Sequence, residues 1–123
     1  MFTRVKTASE LEVMRESGRM LATVLQLLRS KLEPGMSTKH LASMAAKELG
    51  KLGGSAAFLG YNGFPDVLCV SVNEEVVHGI PSGHRIIQAG DIVSLDFGVS
   101  YKKMITDAAI SVIAGKPISE GMP

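Results

Sequence analysis

Two aspartates eleven residues apart, Asp96 and Asp107, are the groups in this chain best placed to do chemistry. In the run from Ile92 to Val99 the apolar residues Val93, Leu95, Phe97 and Val99 alternate with Ser94, Asp96 and Gly98, the period-two pattern of a half-buried strand. Asp96 therefore shares its face with small or polar groups. In the run after it, Asp107, Ala109 and Ser111 alternate with Ala108, Ile110 and Val112, which sets a second carboxylate on a face of small side chains. An antiparallel turn centred between Tyr101 and Lys102 would make the two aspartates direct cross-strand partners. A two-residue loop at Tyr101-Lys102 gives this pairing, and so does the preferred four-residue loop from Ser100 to Lys103. Neither contains the Gly or Asn that tight hairpins favour. Directly opposed residues have Cβ atoms about 4.5 to 5.5 Å apart. Two full charges at about 5 Å in an effective dielectric near 20 repel by roughly 3 kcal/mol. A shared proton or a cation would remove that cost, and oxygen ligands at this spacing suit one or two divalent metals. The alternative is that both carboxylates face solvent on the exposed side of the sheet, screened by Lys102 or Lys103.

The elements that must position this pair are two helices followed by strands. Thr7-Ala8-Ser9-Glu10 is a capping-box pattern, so a helix is predicted from about Ala8. Leu11, Met14, Gly18, Leu21, Leu25, Leu28 and Leu32 recur in steps of three and four as its buried stripe, up to the stop at Pro34-Gly35. Ser37 or Thr38 can cap a second helix with Leu41, Met44, Ala45, Leu49 and Leu52 as its apolar face, ending at Gly53-Gly54. Five β-rich runs follow: 67–72, 76–80, 85–88, 92–99 and 105–113. The order predicts an α+β unit with two helices packed on one face of a mostly antiparallel sheet.

Composition narrows the partners. The 123 residues hold 46% hydrophobic and 20% charged side chains, enough apolar surface for one folded domain and little room for a second. A net charge of +1 supplies no basic field for nucleic acid. The single cysteine, Cys69, excludes an internal disulfide. With no signal-peptide pattern and no apolar run of about 20 residues, a soluble cytoplasmic protein that engages no membrane is expected.

Longer segments carry a resemblance. Gly60-Tyr61-Asn62-Gly63-Phe64-Pro65 and the run from Ser71 to Pro81, with Asn73-Glu74-Glu75 and His78-Gly79-Ile80-Pro81, closely resemble type I methionine aminopeptidases. The run from Gly90 to Gly98 and Thr106-Asp107-Ala108-Ala109 match that family's first two metal-ligand segments, with Asp96 eighteen residues after His78. The resemblance covers essentially the whole chain. It implies half of a pseudo-symmetric "pita-bread" fold, residues 1–123 being the N-terminal half of a catalytic domain with the second half absent. It also implies a two-metal site (manganese, iron, cobalt or zinc) in which Asp96 chelates one ion and Asp107 bridges the pair. His78 would hydrogen-bond the substrate amide and the tetrahedral intermediate. Phe58, Tyr61, Phe64 and Cys69 would line the pocket for the first side chain, where a soft aromatic and sulfur wall favours methionine.

The implied reaction is metal-dependent hydrolysis of the bond after the N-terminal methionine of peptides and nascent proteins. The glutamate that handles protons and the remaining metal ligands are expected beyond Pro123, so the chain is expected to be inactive alone. His78 also reads as a structural histidine beside a tight turn, and Phe58 and Cys69 as core residues. His40 and His84 match no functional position and are expected at the surface. Two departures stand out: Lys103-Met104-Ile105-Thr106 replaces the glycines and aromatic usual before the second aspartate, and Asn62 stands where a histidine is common. Three readings follow: a truncated metalloaminopeptidase; a half-domain completed by homodimerisation or by a separate second half; or a non-catalytic peptide- or ribosome-binding module.

Overall fold

The computed structural model describes residues 7–57, 66–73 and 79–115. The first helix, α1 (Ala8–Lys31), begins with the capping box that its sequence predicts. The Glu10 amide donates to Thr7 Oγ1 at 3.1 Å, and the Thr7 amide donates to Glu10 Oε1 at 2.9 Å. Two of the donors that a helix start leaves unpaired are thereby satisfied, a contribution of about 1 kcal/mol. The buried stripe of α1 is Ser17, Met20, Leu21, Val24, Leu25 and Leu28. It differs from the predicted stripe in its first two turns. Leu11 is 42% exposed and Met14 half-buried, and Ser17 takes the contact position beside Gly18.

The second helix, α2 (Thr38–Leu52), starts at Ser37, whose side chain accepts from the His40 amide. It ends at Gly53 in the left-handed conformation that glycine tolerates best, φ 86°. Leu41, Ala45 and Leu49 are buried as predicted, with Thr38 and Ala42 added. Between the helices the chain does not run free. Gly35 donates to the Ile87 carbonyl and Ile87 to the Met36 carbonyl, both at 2.8 Å. The β-rich run 85–88 therefore pairs with the connector between the helices, bridging Ser37 to Ile86, and does not join the main sheet.

That sheet has four antiparallel strands among the described residues: β1 (Ser55–Ala56), β2 (Leu68–Val72), β3 (Ile92–Tyr101) and β4 (Met104–Ile113). β1 and β2 lie along one side of β3, and β4 runs along its other side for the full length. The short β1 was not anticipated. The predicted run 76–80 lies outside the described residues as far as position 78, and Gly79 and Ile80 are not in a strand.

Val93, Leu95, Phe97 and Val99 are all fully buried and form one core with Val24, Leu28, Leu41 and Ala45 of the helices. Each such side chain stabilises the fold by about 1.5–3 kcal/mol when taken out of water. Both helices cover this face of the sheet, α1 over β3 and β4 and α2 over β1 and β2, as expected for the predicted architecture. The opposite face, which carries Asp96 and Asp107, has none of the described helices on it. No helix among the described residues is long and apolar enough to cross a membrane.

Candidate metal centre

The register of β3 and β4 decides where the aspartates stand. Tyr101 pairs with Met104, so the hairpin closes through the two residues Lys102 and Lys103. Both have positive φ, 47° and 70°, the combination that a tight, right-twisted hairpin turn requires. The predicted turn lay one residue earlier, and the predicted direct pairing of Asp96 with Asp107 is corrected accordingly. Asp96 pairs with Ala109, and Asp107 pairs with Gly98. The shift is by two in the pairing, so both carboxylates keep the same face and become diagonal neighbours, Asp107 two pairs nearer the turn than Asp96. The physical reason is that two lysines, neither favoured in such turns, adopt left-handed backbone to let Tyr101 and Met104 pair. The Lys102 ammonium sits over the Tyr101 ring, 5.3 Å from its centroid.

Diagonal neighbours are about 7–8 Å apart at Cα and somewhat less at Cβ. At about 7 Å and an effective dielectric near 20 the repulsion falls to roughly 2.4 kcal/mol. A shared proton needs oxygens about 2.5–2.7 Å apart, whereas an ion held between two carboxylates spans a wider gap. The diagonal register suits the ion better. Each aspartate also looks across at a minimal side chain on the neighbouring strand, Gly98 opposite Asp107 and Ala109 opposite Asp96. Both carboxylates are exposed. Two hard oxygen donors on one open face fit a divalent cation of the magnesium or manganese type. Among the described residues no group of three or more His, Cys, Asp or Glu side chains could hold a metal by itself.

Across β3 the same face continues onto β2, where Cys69 pairs with Asp96 and Ser71 with Ser94. Cys69 is buried, 9% exposed, and lies on the aspartate face as a wall position would. Ser94 in turn meets Ser111 at 3.1 Å between hydroxyl oxygens, which gives a row of serines two pairs further from the turn than Asp96. Sequence reasoning did not single out this row, although the alternation that located Asp96 also carries it. Phe58, Tyr61, Phe64 and His78 lie outside the described residues. The chain just after His78 is tightly placed, since the Val70 amide donates to the Gly79 carbonyl at 2.9 Å. A Cβ on Gly79 would lie 1.7 Å from the Val70 carbonyl oxygen, so only glycine fits there. His40 and His84 are exposed, as expected.

At the base of this face, Asp91 accepts from the Asn73 side chain at 3.0 Å and from the Gln88 amide at 2.9 Å. Those hydrogen bonds, with Arg85 nearby, hold its carboxyl below the usual aspartate range. Asn73 also accepts from the Ile92 amide, which fixes the entry to β3 four residues before Asp96.

Comparison with known proteins agrees with this fold. Methionine aminopeptidases from Aquifex aeolicus and Bacillus subtilis are 43% and 46% identical to this chain over 113 and 104 residues. The matches cover 87% and 85% of this chain but 44% and 42% of those proteins, so the chain spans less than half the length of these relatives. The crystal structure of a methionine aminopeptidase from Thermotoga maritima superposes with a TM-score of 0.89 at 39% identity, covering 94% of this chain and 46% of that one. The two helices on an antiparallel sheet thus form half of a pita-bread fold. Residues 12–121 match the sequence profile described as metallopeptidase family M24, and it is to this family that the chain belongs.

Proposed function

We propose that this chain is the aspartate-bearing half of a divalent-metal-dependent aminopeptidase that removes N-terminal methionine from peptides and nascent proteins in the cytoplasm. The observation that carries the reading is the pair Asp96 and Asp107, diagonal neighbours on one open sheet face, each opposite a residue with almost no side chain. The relatives' names support the substrate class, and the family supports a metal. Asp96 and Asp107 would hold two divalent ions, manganese, iron, cobalt or zinc. Bound there, the ions would supply Lewis-acid polarisation of the scissile carbonyl and an activated nucleophile.

The chain's own residues then bind and orient. Cys69, adjacent to Asp96 on the same face, fits a wall of the methionine pocket, and Phe58, Tyr61 and Phe64 would complete it. His78 would donate a hydrogen bond to the substrate amide. The Gly79 anchor on β2, next in sequence to His78 and beside Cys69, supports that role. Two carboxylates leave most of a divalent ion's coordination positions unfilled. Residues 1–123 alone are therefore expected to release no methionine. The test is release of methionine from a Met-Ala-Ser peptide by the manganese-loaded chain. No turnover is expected, and turnover by these residues alone would overturn the half-site reading.

A second reading, in which another copy or a separate chain completes the site, is favoured by β4. Among the described residues it pairs with β3 only, and Ile105 on its open face is 62% exposed. Such an edge is a template for association.

A further inference from the structure

Ser17 is fully buried on α1, and its hydroxyl oxygen lies 2.8 Å from Thr106 Oγ1, 3.3 Å from the Val99 carbonyl and 3.5 Å from the Met104 carbonyl. These three partners come from both strands of the hairpin within three residues of its turn, and Val99 and Thr106 are themselves a cross-strand pair. One hydroxyl has a single proton. If Ser17 donates to a carbonyl, Thr106 must donate to Ser17, so the two hydroxyls form a short directed chain from β4 through the helix to β3. Thr106 immediately precedes Asp107, and its side chain points to the helix while Asp107 takes the open face. Further along, a groove of about 360 Å³ opens between α1 and β4, lined by Gly18, Leu21, Leu25, Ala108 and Ile110. Among the described residues the Ser17–Thr106 contact is the shortest hydrogen bond between the helix and the strand that carries the second aspartate. It also falls in the segment where this chain departs from the glycines and aromatic of its family.

We propose that Ser17 and Thr106 are positioning residues that seat the β3–β4 hairpin on α1 and so set where Asp107 stands relative to Asp96. The proposal rests on the metal-site reading for its functional consequence, though the seating itself does not. A hydroxyl at position 106 is required, and its methyl group is not.

Three chains test this: the wild type, Thr106→Val, which keeps the shape and loses the hydroxyl, and Thr106→Ser, which keeps the hydroxyl and loses the methyl. Thr106→Val leaves Ser17 two backbone carbonyls to donate to, so the fold should survive. Ser17→Ala, which introduces no larger group, is the second variant should it not. Two readouts are taken on each: Mn²⁺ affinity by calorimetric titration, and amide hydrogen exchange of residues 99–107 without metal. The expected result is wild-type behaviour for Thr106→Ser. For Thr106→Val we expect faster exchange and Mn²⁺ binding weaker by roughly tenfold, the low end of the cost of losing an outer-shell partner. Equal affinity and equal exchange in Thr106→Val and wild type overturn the proposal, as does an equal loss in Thr106→Ser and Thr106→Val. If the wild type takes up no Mn²⁺, the metal-site reading fails. The seating is then judged on exchange alone, and unchanged exchange in Thr106→Val overturns it.

Discussion

A side chain at position 79 has no room. The Val70 carbonyl oxygen occupies the place where its Cβ would be, while the same two residues share a hydrogen bond. Gly79→Ala is therefore expected to cost about 3 kcal/mol by forcing backbone apart, measurable by urea denaturation. A loss under about 0.5 kcal/mol would contradict the anchor. Asp91 permits a pH test. Its folded pKa is depressed, chiefly by the hydrogen bond from Asn73 and then by that from Gln88, so its charged form stabilises the fold above the unfolded value of about 3.9. That contribution is lost as pH falls through the lowered folded value. Asp91→Ala should melt below the wild type at pH 7, and the gap should narrow below about pH 4. A gap that stays constant down to acid denaturation would contradict this. At this scale much was legible from residue types, since alternation alone placed Asp96 and Asp107 opposite the core residues Val93, Leu95 and Phe97. Ser17 was not legible. A serine within a helical stripe gives no sign of its partner until Thr106 is seen eighty-nine residues further along.

The hairpin is the element on which the site depends, and its register shows what pattern cannot decide. Alternation has a period of two, so pairings that differ by two satisfy it equally and only the turn chooses between them. Here the turn is Lys102-Lys103, whose left-handed backbone nothing in two lysines announces. The Asn or Gly that would have signalled the position is missing, and the expected turn fell one residue early. The same observation predicts a stabilising change. Replacing Lys102-Lys103 by Asn-Gly should raise stability by about 1 kcal/mol, because left-handed backbone costs a β-carbon residue about that much. A thermal melt checks it, and a lowered Tm would argue for a different turn. The run 85–88 was read as a strand and pairs instead with the connector before α2. β-rich composition shows that a segment extends, but not which neighbour it meets. The ends of α1 and α2 were read correctly because a cap is local chemistry, complete within Thr7 to Glu10 or Ser37 to His40.

Among the described residues, one face of the sheet is packed by the helices and the other carries two carboxylates, a buried thiol and a row of serines. Three of these lie in register across neighbouring strands, with Cys69 paired to Asp96 and Ser94 paired to both Ser71 and Ser111. The segments matched in the relatives make up less than half of their length. If a second copy completes the site, sedimentation should show a concentration-dependent dimer that Ile105→Lys weakens, since that substitution charges the exposed face of β4. A strictly monomeric chain would contradict that second reading. The claim beneath all of this is that Asp96 and Asp107 act as one cation site. Calorimetric titration of Mn²⁺ into the wild type, Asp96→Asn and Asp107→Asn tests it most directly. Saturable binding by the wild type is predicted, weakened at least about tenfold in each variant by the loss of one charged oxygen ligand. Equal affinity in all three chains, or no binding in any, would contradict it.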